Sequence, residues 1–187
     1  LFITTRDGRL MCFRNTAPKV PKTWKGQTIR PSISDDSLAT ATAIVSRASS
    51  SYGVAIVAGL SDGSLTNALI ESSNYHVVVV DDSPEQAQQL RQQWEAAGWS
   101  GNRAAIIHSD LRNLTLPPYI ATLLMSERSN VELKPLLQTL RPFGGLAVDG
   151  RLTKDSLQPI KPGNFSLEND QALGLSFTRR VGPLPGS

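Results

Sequence analysis

Residues 54–82, VAIVAGLSDGSLTNALIESSNYHVVVVDD, decide how the rest of the chain is read. Val54 to Ala58 is a short apolar run, long enough for a buried strand and too short for a helix. Gly59-Leu60-Ser61-Asp62-Gly63 then breaks the pattern, and Ser64 to Ser72 resumes it at helical spacing. Tyr75 to Val80 is a second apolar run, ending in Asp81-Asp82. VVVV is apolar at every position, so it lacks the alternation of a strand with one wet face; both faces of such a strand are covered, as in a parallel sheet with helices on both sides. Strand, glycine-bounded turn, helix and strand make one crossover unit.

The same rhythm continues outward in both directions. Pro84 to Ala97 reads as a helix with proline in its first turn, Ala104 to His108 as a third strand, Ile120 to Met125 as a fourth, Val131 to Leu140 as a helix and Gly145 to Asp149 as a fifth strand. Upstream, Ser34 is an N-cap hydroxyl followed by Asp35 and Asp36, with Leu38, Ala41, Ile44, Val45 and Ala48 at helical spacing. Beyond Gly150 the pattern weakens through a proline-containing loop until Ala172 to Arg180, read as a last strand. The expectation is a doubly wound, mostly parallel α/β sheet over residues 34–181, a hairpin and linker over 1–33, and a tail over 182–187.

The first fourteen residues, LFITTRDGRLMCFR, alternate apolar and polar positions around Asp7-Gly8, a hairpin signal. An isolated hairpin is marginal in water and needs a sheet to join. Residues 15–31 are rich in proline and lysine and read as a linker, with Trp24 the one large apolar side chain. The chain starts with Leu1 in a mid-strand pattern, which is expected of a piece of a longer polypeptide.

At 187 residues, 40% of them apolar and 19% charged, the composition is that of an ordinary folded domain. No apolar run approaches the roughly 20 residues needed to cross a bilayer. Cys12 is the only cysteine, which excludes an internal disulfide and a cysteine-based zinc site. The compartment is not legible. The net charge of +3 is unevenly spread: Arg6, Arg9, Arg14, Lys19, Lys22, Lys25 and Arg30 face Asp7 alone, so residues 1–30 carry +6. These charges stand among prolines with no aromatic stacking array, which favours a solvated linker over a nucleic-acid arm.

In an open parallel sheet, ligands bind beyond the carboxyl ends of the strands, where the strand order reverses. Gly59 to Gly63 stands there, and glycines before a helix N-terminus let a ligand approach backbone N–H groups. Asp81 and Asp82 end the second strand about 20 residues further on, the spacing at which an acid reaches ribose hydroxyls in nucleotide-binding units. These features also have bland readings: a tight turn for the glycines, a cap for the next helix for Asp81 or Asp82, an ordinary loop acid for Asp110.

Asp110 follows the third strand, and Leu140-Arg141-Pro142-Phe143-Gly144-Gly145 leads into the fifth. Together with the order of elements over residues 54–149, these features resemble the class I S-adenosylmethionine-dependent methyltransferases, which have a Rossmann-like fold. The resemblance implies that Gly59, Ser61, Asp62 and Gly63 wrap the methionine part of S-adenosylmethionine, that Asp81 takes the ribose hydroxyls with Asp82 a further cofactor-binding candidate beside it, and that Asp110 meets the adenine edge. It also implies an acceptor-facing region just after the fourth strand, where Glu127 and Arg128 are the acid/base candidates. The family's loop begins with an acid and has three glycines. Here Val57 stands at the acidic position and Ser61 at the middle glycine, with Asp62 the nearby carboxylate to substitute.

The G-x-G-x-x-G of nicotinamide-binding domains is absent, since Leu60, Ser61 and Asp62 separate the two glycines. Leu116-Pro117-Pro118-Tyr119 is similar to the Asn-Pro-Pro-Tyr motif of amino-methylating enzymes, but precedes the fourth strand and begins with Leu, so it reads as a loop. His76, His108, Trp94 and Trp99 read as packing or surface residues. Residues 1–14 also resemble the strand–turn–strand ending of quinoprotein-like β-propeller blades, which implies flanking blades in the same polypeptide. Two functions follow: a methyltransferase-like domain whose methyl acceptor is unknown, or a non-catalytic interaction or spacer module that has kept the shape.

Overall fold

The structure is a computed structural model and describes residues 2–4, 10–13, 28–149 and 164–182. Asp7-Gly8, Trp24, most of the linker, the start of the loop after Gly150 and most of the tail lie outside the described residues.

β1 (Phe2–Thr4) and β2 (Leu10–Cys12) pair antiparallel, as the alternation predicts, and form a two-stranded sheet of their own. α1 (Asp35–Arg47) starts where its cap requires, the Ser37 N–H donating to the Ser34 hydroxyl at 3.2 Å. Then come β3 (Tyr52–Ala58), α2 (Ser64–Ser72), β4 (Asn74–Asp81), α3 (Pro84–Ala97), β5 (Ala104–His108), β6 (Ala121–Met125), β7 (Leu146–Asp149), β8 (Phe165–Asp170) and β9 (Leu175–Arg180). The seven strands β3 to β9 form one sheet in the order β5-β4-β3-β6-β7-β9-β8. β3 to β7 are mutually parallel, while β9 runs antiparallel to both β7 and β8. The chain leaves β3 in one direction through β4 to β5, then returns to lay β6 on the other side of β3. The switch point is therefore between β3 and β6.

Three expectations are corrected. Residues 131–140 do not form an α-helix: a 3-10 turn covers Lys134–Thr139. Pro135 cannot donate within a helix and disfavours a helical residue before it, and Pro142 follows seven residues later, so two full α-turns do not fit. Helices also do not cover both sides of the sheet among the described residues. Ala41 and Ile44 of α1, Leu69 of α2, and Leu90 and Trp94 of α3 all pack on the side that carries Val57, Val79, Leu123 and Val148. The other side, with Ile56, Leu124 and Ala147, is covered by Val131, Leu133, Leu136, Leu137 and Leu140 from the β6–β7 connection, and by Leu111, Leu114 and Leu116 from the β5–β6 connection. Both connections are broken by prolines and hold their leucines on extended and 3-10 backbone, those of the β6–β7 connection buried and those of the β5–β6 connection partly so. Finally, residues 165–170 are strand where a loop is expected. Phe165 and Leu167 pack on the second core while Ser166 and Glu168 point away, a period-2 pattern too short to stand out.

At the sheet's far end Arg180 is fully buried. Its Nε donates to the Gly182 carbonyl at 2.9 Å and its Nη1 to that of Leu140 at 2.7 Å. The guanidinium stacks 4.8 Å from the Tyr119 ring centre. Tyr119 thus serves the amino end of β6, and 116–119 is a connecting loop. Trp94 and Trp99 are buried packing residues, and the Trp94 indole donates to Asn67 Oδ1 at 2.8 Å.

Candidate functional site

β3 ends at Ala58 and β6 at Met125, side by side, so the loops that follow meet: the Glu127 N–H donates to the Gly59 carbonyl at 3.1 Å. Gly59 and Gly63 both take positive φ, 87° and 78°, which an L side chain rarely adopts. Gly63 is the N-cap of α2, and without a side chain it leaves the first N–H groups of the helix unmet. Glu127 meets them. Its Oε2 accepts from the N–H groups of Ser61 at 3.0 Å and Gly63 at 2.9 Å, and its Oε1 from the Thr66 N–H at 2.7 Å and the Thr66 hydroxyl. A negative charge is favoured at a helix N-terminus. The loop acid that Val57 lacks is thus supplied from the end of β6. Asp62, the substitute that the sequence offers, is exposed and accepts from the Ser64 N–H at 2.9 Å.

Arg128 holds the other half. Asp81, wholly buried, accepts from the Leu60 N–H at 2.7 Å and the Ser83 N–H at 2.8 Å, and Arg128 Nη2 lies 2.9 Å from its Oδ2. Arg128 Nη1 reaches Asp82 Oδ1 at 2.6 Å, Nη2 also donates to Gln86 Oε1 at 2.9 Å, and Nε donates to the Leu60 carbonyl. The planar guanidinium suits this fan of acceptors better than an ammonium would. Gln86 is free to take part because of Asp81. In a capping box the N3 side chain returns to the N-cap N–H; here Asp81 already accepts from the Ser83 N–H, and Gln86 Nε2 turns to the Ser61 carbonyl at 3.0 Å.

Asp110 stands apart from this cluster. It is exposed and closes its own turn, accepting from the Arg112 N–H at 2.9 Å and the Asn113 amide at 2.8 Å. The Arg112 N–H first, and then the Asn113 amide, hold its carboxyl below the ordinary carboxylate range.

Two clefts flank the cluster. One, of about 390 Å³, is lined by Leu60, Ser61, Asp62, Gly63, Gln86 and Gln93 among others. The second, of about 400 Å³, is lined by the apolar Leu111, Leu114, Val131 and Leu136 together with the charged Asp82, Arg112, Arg128 and Glu132. Both fall within the roughly 300–1,000 Å³ of small-molecule sites. Among the described residues no group of three or more His, Cys, Asp or Glu is placed to hold a metal ion, and no helix is long and apolar enough to cross a membrane.

The fold can be matched among solved structures. A Methanococcus maripaludis protein, assigned provisionally as an S-adenosyl-L-methionine-dependent methyltransferase, superposes with a TM-score of 0.61 at 14% identity, over 80% of this chain and 86% of that one. The [4+2]-cyclase SpnF gives 0.59 at 10% identity, over 79% and 82%. Geranyl diphosphate methyltransferase in complex with SAM gives 0.57 at 9% identity, over 76% and 84%. The fold is that of the class I methyltransferases. No protein-family profile and no curated protein sequence matches the chain.

Within that methyltransferase fold, the structure brings together Gly59, Ser61, Gly63, Asp81, Asp82, Glu127 and Arg128, and leaves Asp110 at the margin. Sequence reasoning misses Thr66 and Gln86. Ser83-x-x-Gln86 is a capping-box pattern, but nothing local shows that its glutamine points elsewhere.

Proposed function

We propose that this chain is a methyltransferase-like domain that binds S-adenosylmethionine at the β3/β6 switch point, with an acceptor that its residues do not name. The observation that carries the reading is the convergence there of the glycine-bounded loop, the two acids ending β4, and two clefts of ligand size. A relative of the same fold is described in complex with SAM. The residues fit such a ligand in a particular way. Asp82 is half-exposed and lines the second cleft together with Leu111 and Leu114, as a ribose partner beside a base requires, whereas Asp81 is wholly buried and positions Leu60 and Ser83. Asp110 borders that cleft through Leu111 and Arg112. Gly59, Ser61, Asp62 and Gly63 form the edge of the site. When bound, the cofactor supplies an electrophilic sulfonium methyl group, and the protein's task is to align an acceptor with it. Glu127 and Arg128 act here as positioning residues; their side chains are committed to the loop and to the acids.

A second reading is a non-catalytic interaction or spacer module. It is favoured by the bonds that already satisfy the loop N–H groups and Asp81 from within the protein. SpnF is named a cyclase, and a fold does not carry a reaction with it. The flanking propeller blades belong to the same proposal: Phe2, Ile3, Leu10 and Met11 of the hairpin are exposed and suit an added sheet.

Titration calorimetry with S-adenosylmethionine and with its demethylated product tests the reading. Saturable binding is expected, weakened about tenfold or more in Asp82→Ala and less in Asp110→Ala. A folded domain that binds neither ligand supports the module instead.

A further inference from the structure

The two clefts share a boundary, and Arg128 is that boundary. Its guanidinium is bonded to Leu60 and Gln86, which line the first cleft, and to Asp82, which lines the second; Arg128 itself lines the second. Its stem also fills the space beside Gly59. A β-carbon built on that glycine would lie 2.8 Å from Val131 Cγ2 and 3.3 Å from Arg128 Cδ. The surface a ligand would need in order to pass over Gly59 from one cleft to the other is therefore covered by the chain's own side chains.

We propose that Arg128 is a specificity-determining gate, closed in this structure, that separates one elongated site into two compartments. This inference rests on the cofactor reading above. With the gate closed, the second cleft admits a nucleoside: Leu111, Leu114, Val131 and Leu136 against a base, Asp82 for a ribose. A nucleoside that carries an amino-acid arm spans both clefts, and the arm enters only when Arg128 leaves Asp82 and Gln86. Opening the gate subtracts from the affinity for the longer ligand and leaves that for the nucleoside unchanged, because a ligand pays for whatever state of the protein it needs.

Arg128→Lys is the discriminating variant. A lysine keeps a cation beside the buried Asp81 and a stem beside Gly59, but lacks the planar fork that spans Asp82, Gln86 and Leu60. Gln86→Leu is the second variant: it releases Arg128 from one wall of the first cleft without disturbing its contact with Asp81. The 187-residue chain as wild type and both variants, each shown to be folded by circular dichroism, are titrated with adenosine and with S-adenosylhomocysteine. The expected result is unchanged adenosine affinity in Gln86→Leu and, in Arg128→Lys, whose side chain lines the second cleft, a ratio of S-adenosylhomocysteine to adenosine affinity raised about fivefold or more, the same ratio rising by a smaller factor in Gln86→Leu. If that ratio does not rise in Arg128→Lys, Arg128 is no gate and the cofactor reading stands. If neither ligand saturates any of the three proteins, the cofactor reading fails and the gate falls with it.

Discussion

Glu127 and Arg128 are neighbours in sequence whose side chains diverge, one to the N-terminus of α2 and the other to the end of β4. A helix whose N-cap is glycine must find acceptors for its first N–H groups elsewhere, and a buried carboxylate must find a cation. The two residues meet both needs from one short loop. Glu127→Ala should therefore lower unfolding stability by about 2 kcal/mol, the sum of a lost cap and unmet donors. Glu127→Gln should recover little of it, since its amide NH₂ would face N–H groups that need an acceptor. Urea denaturation of both variants checks this. A glutamine variant as stable as wild type would mean that the carboxylate is not what holds the loop.

Among the elements, those bounded by explicit caps fall where local chemistry puts them. α1 follows the Ser34 hydroxyl, α2 follows Gly63, and α3 runs from Pro84 to Gly98, whose left-handed φ of 70° closes it. The α3 cap is the Ser83 hydroxyl accepting from the Gln86 N–H at 3.2 Å. Ser83→Ala should cost about 1 kcal/mol in thermal or urea unfolding. Gln86 also contacts Arg128, so the variant should in addition loosen the site; unchanged stability would show that Asp81 alone orders this turn. The elements that local chemistry misplaces lack such markers. Residues 131–140 carry apolar side chains at spacings a helix and an irregular buried segment share, and only Pro135 and Pro142 argue for the latter. β8 shows two inward residues, Phe165 and Leu167, too few to separate strand from loop without β9 beside it.

At the scale of the whole molecule, and among the described residues, one side of the sheet is covered by three α-helices and the other by leucines on extended and 3-10 backbone. Adjacent residues of β6 sample the two sides: Leu123 packs under the helices, Leu124 under the β6–β7 connection, and both are fully buried. Leu123→Ala and Leu124→Ala should each cost about 2–5 kcal/mol through a lost side chain and a residual cavity. If both layers belong to one cooperative unit, each variant lowers the midpoint of a single transition, followed by tryptophan fluorescence and circular dichroism together. Separate transitions by the two probes for Leu124→Ala would show that the helix-free layer opens by itself.

Periodicity and capping are local, so the sequence by itself determined the alternation of strands and helices through β5, the parallel core and the glycine-bounded loop at the end of β3. Runs such as Val77 to Val80 and the loop from Gly59 to Gly63 carry that information within a few residues. The partners of the site's charges could be decided only by the tertiary structure, because Glu127 meets the glycine loop, and Arg128 meets Asp81 and Gln86, across more than 40 residues of chain. No local pattern records which of two adjacent acids is buried as an anchor and which is left on the rim. That outcome depends on which neighbouring strand delivers the counter-charge, and the pairing of β6 beside β3 delivers it to Asp81.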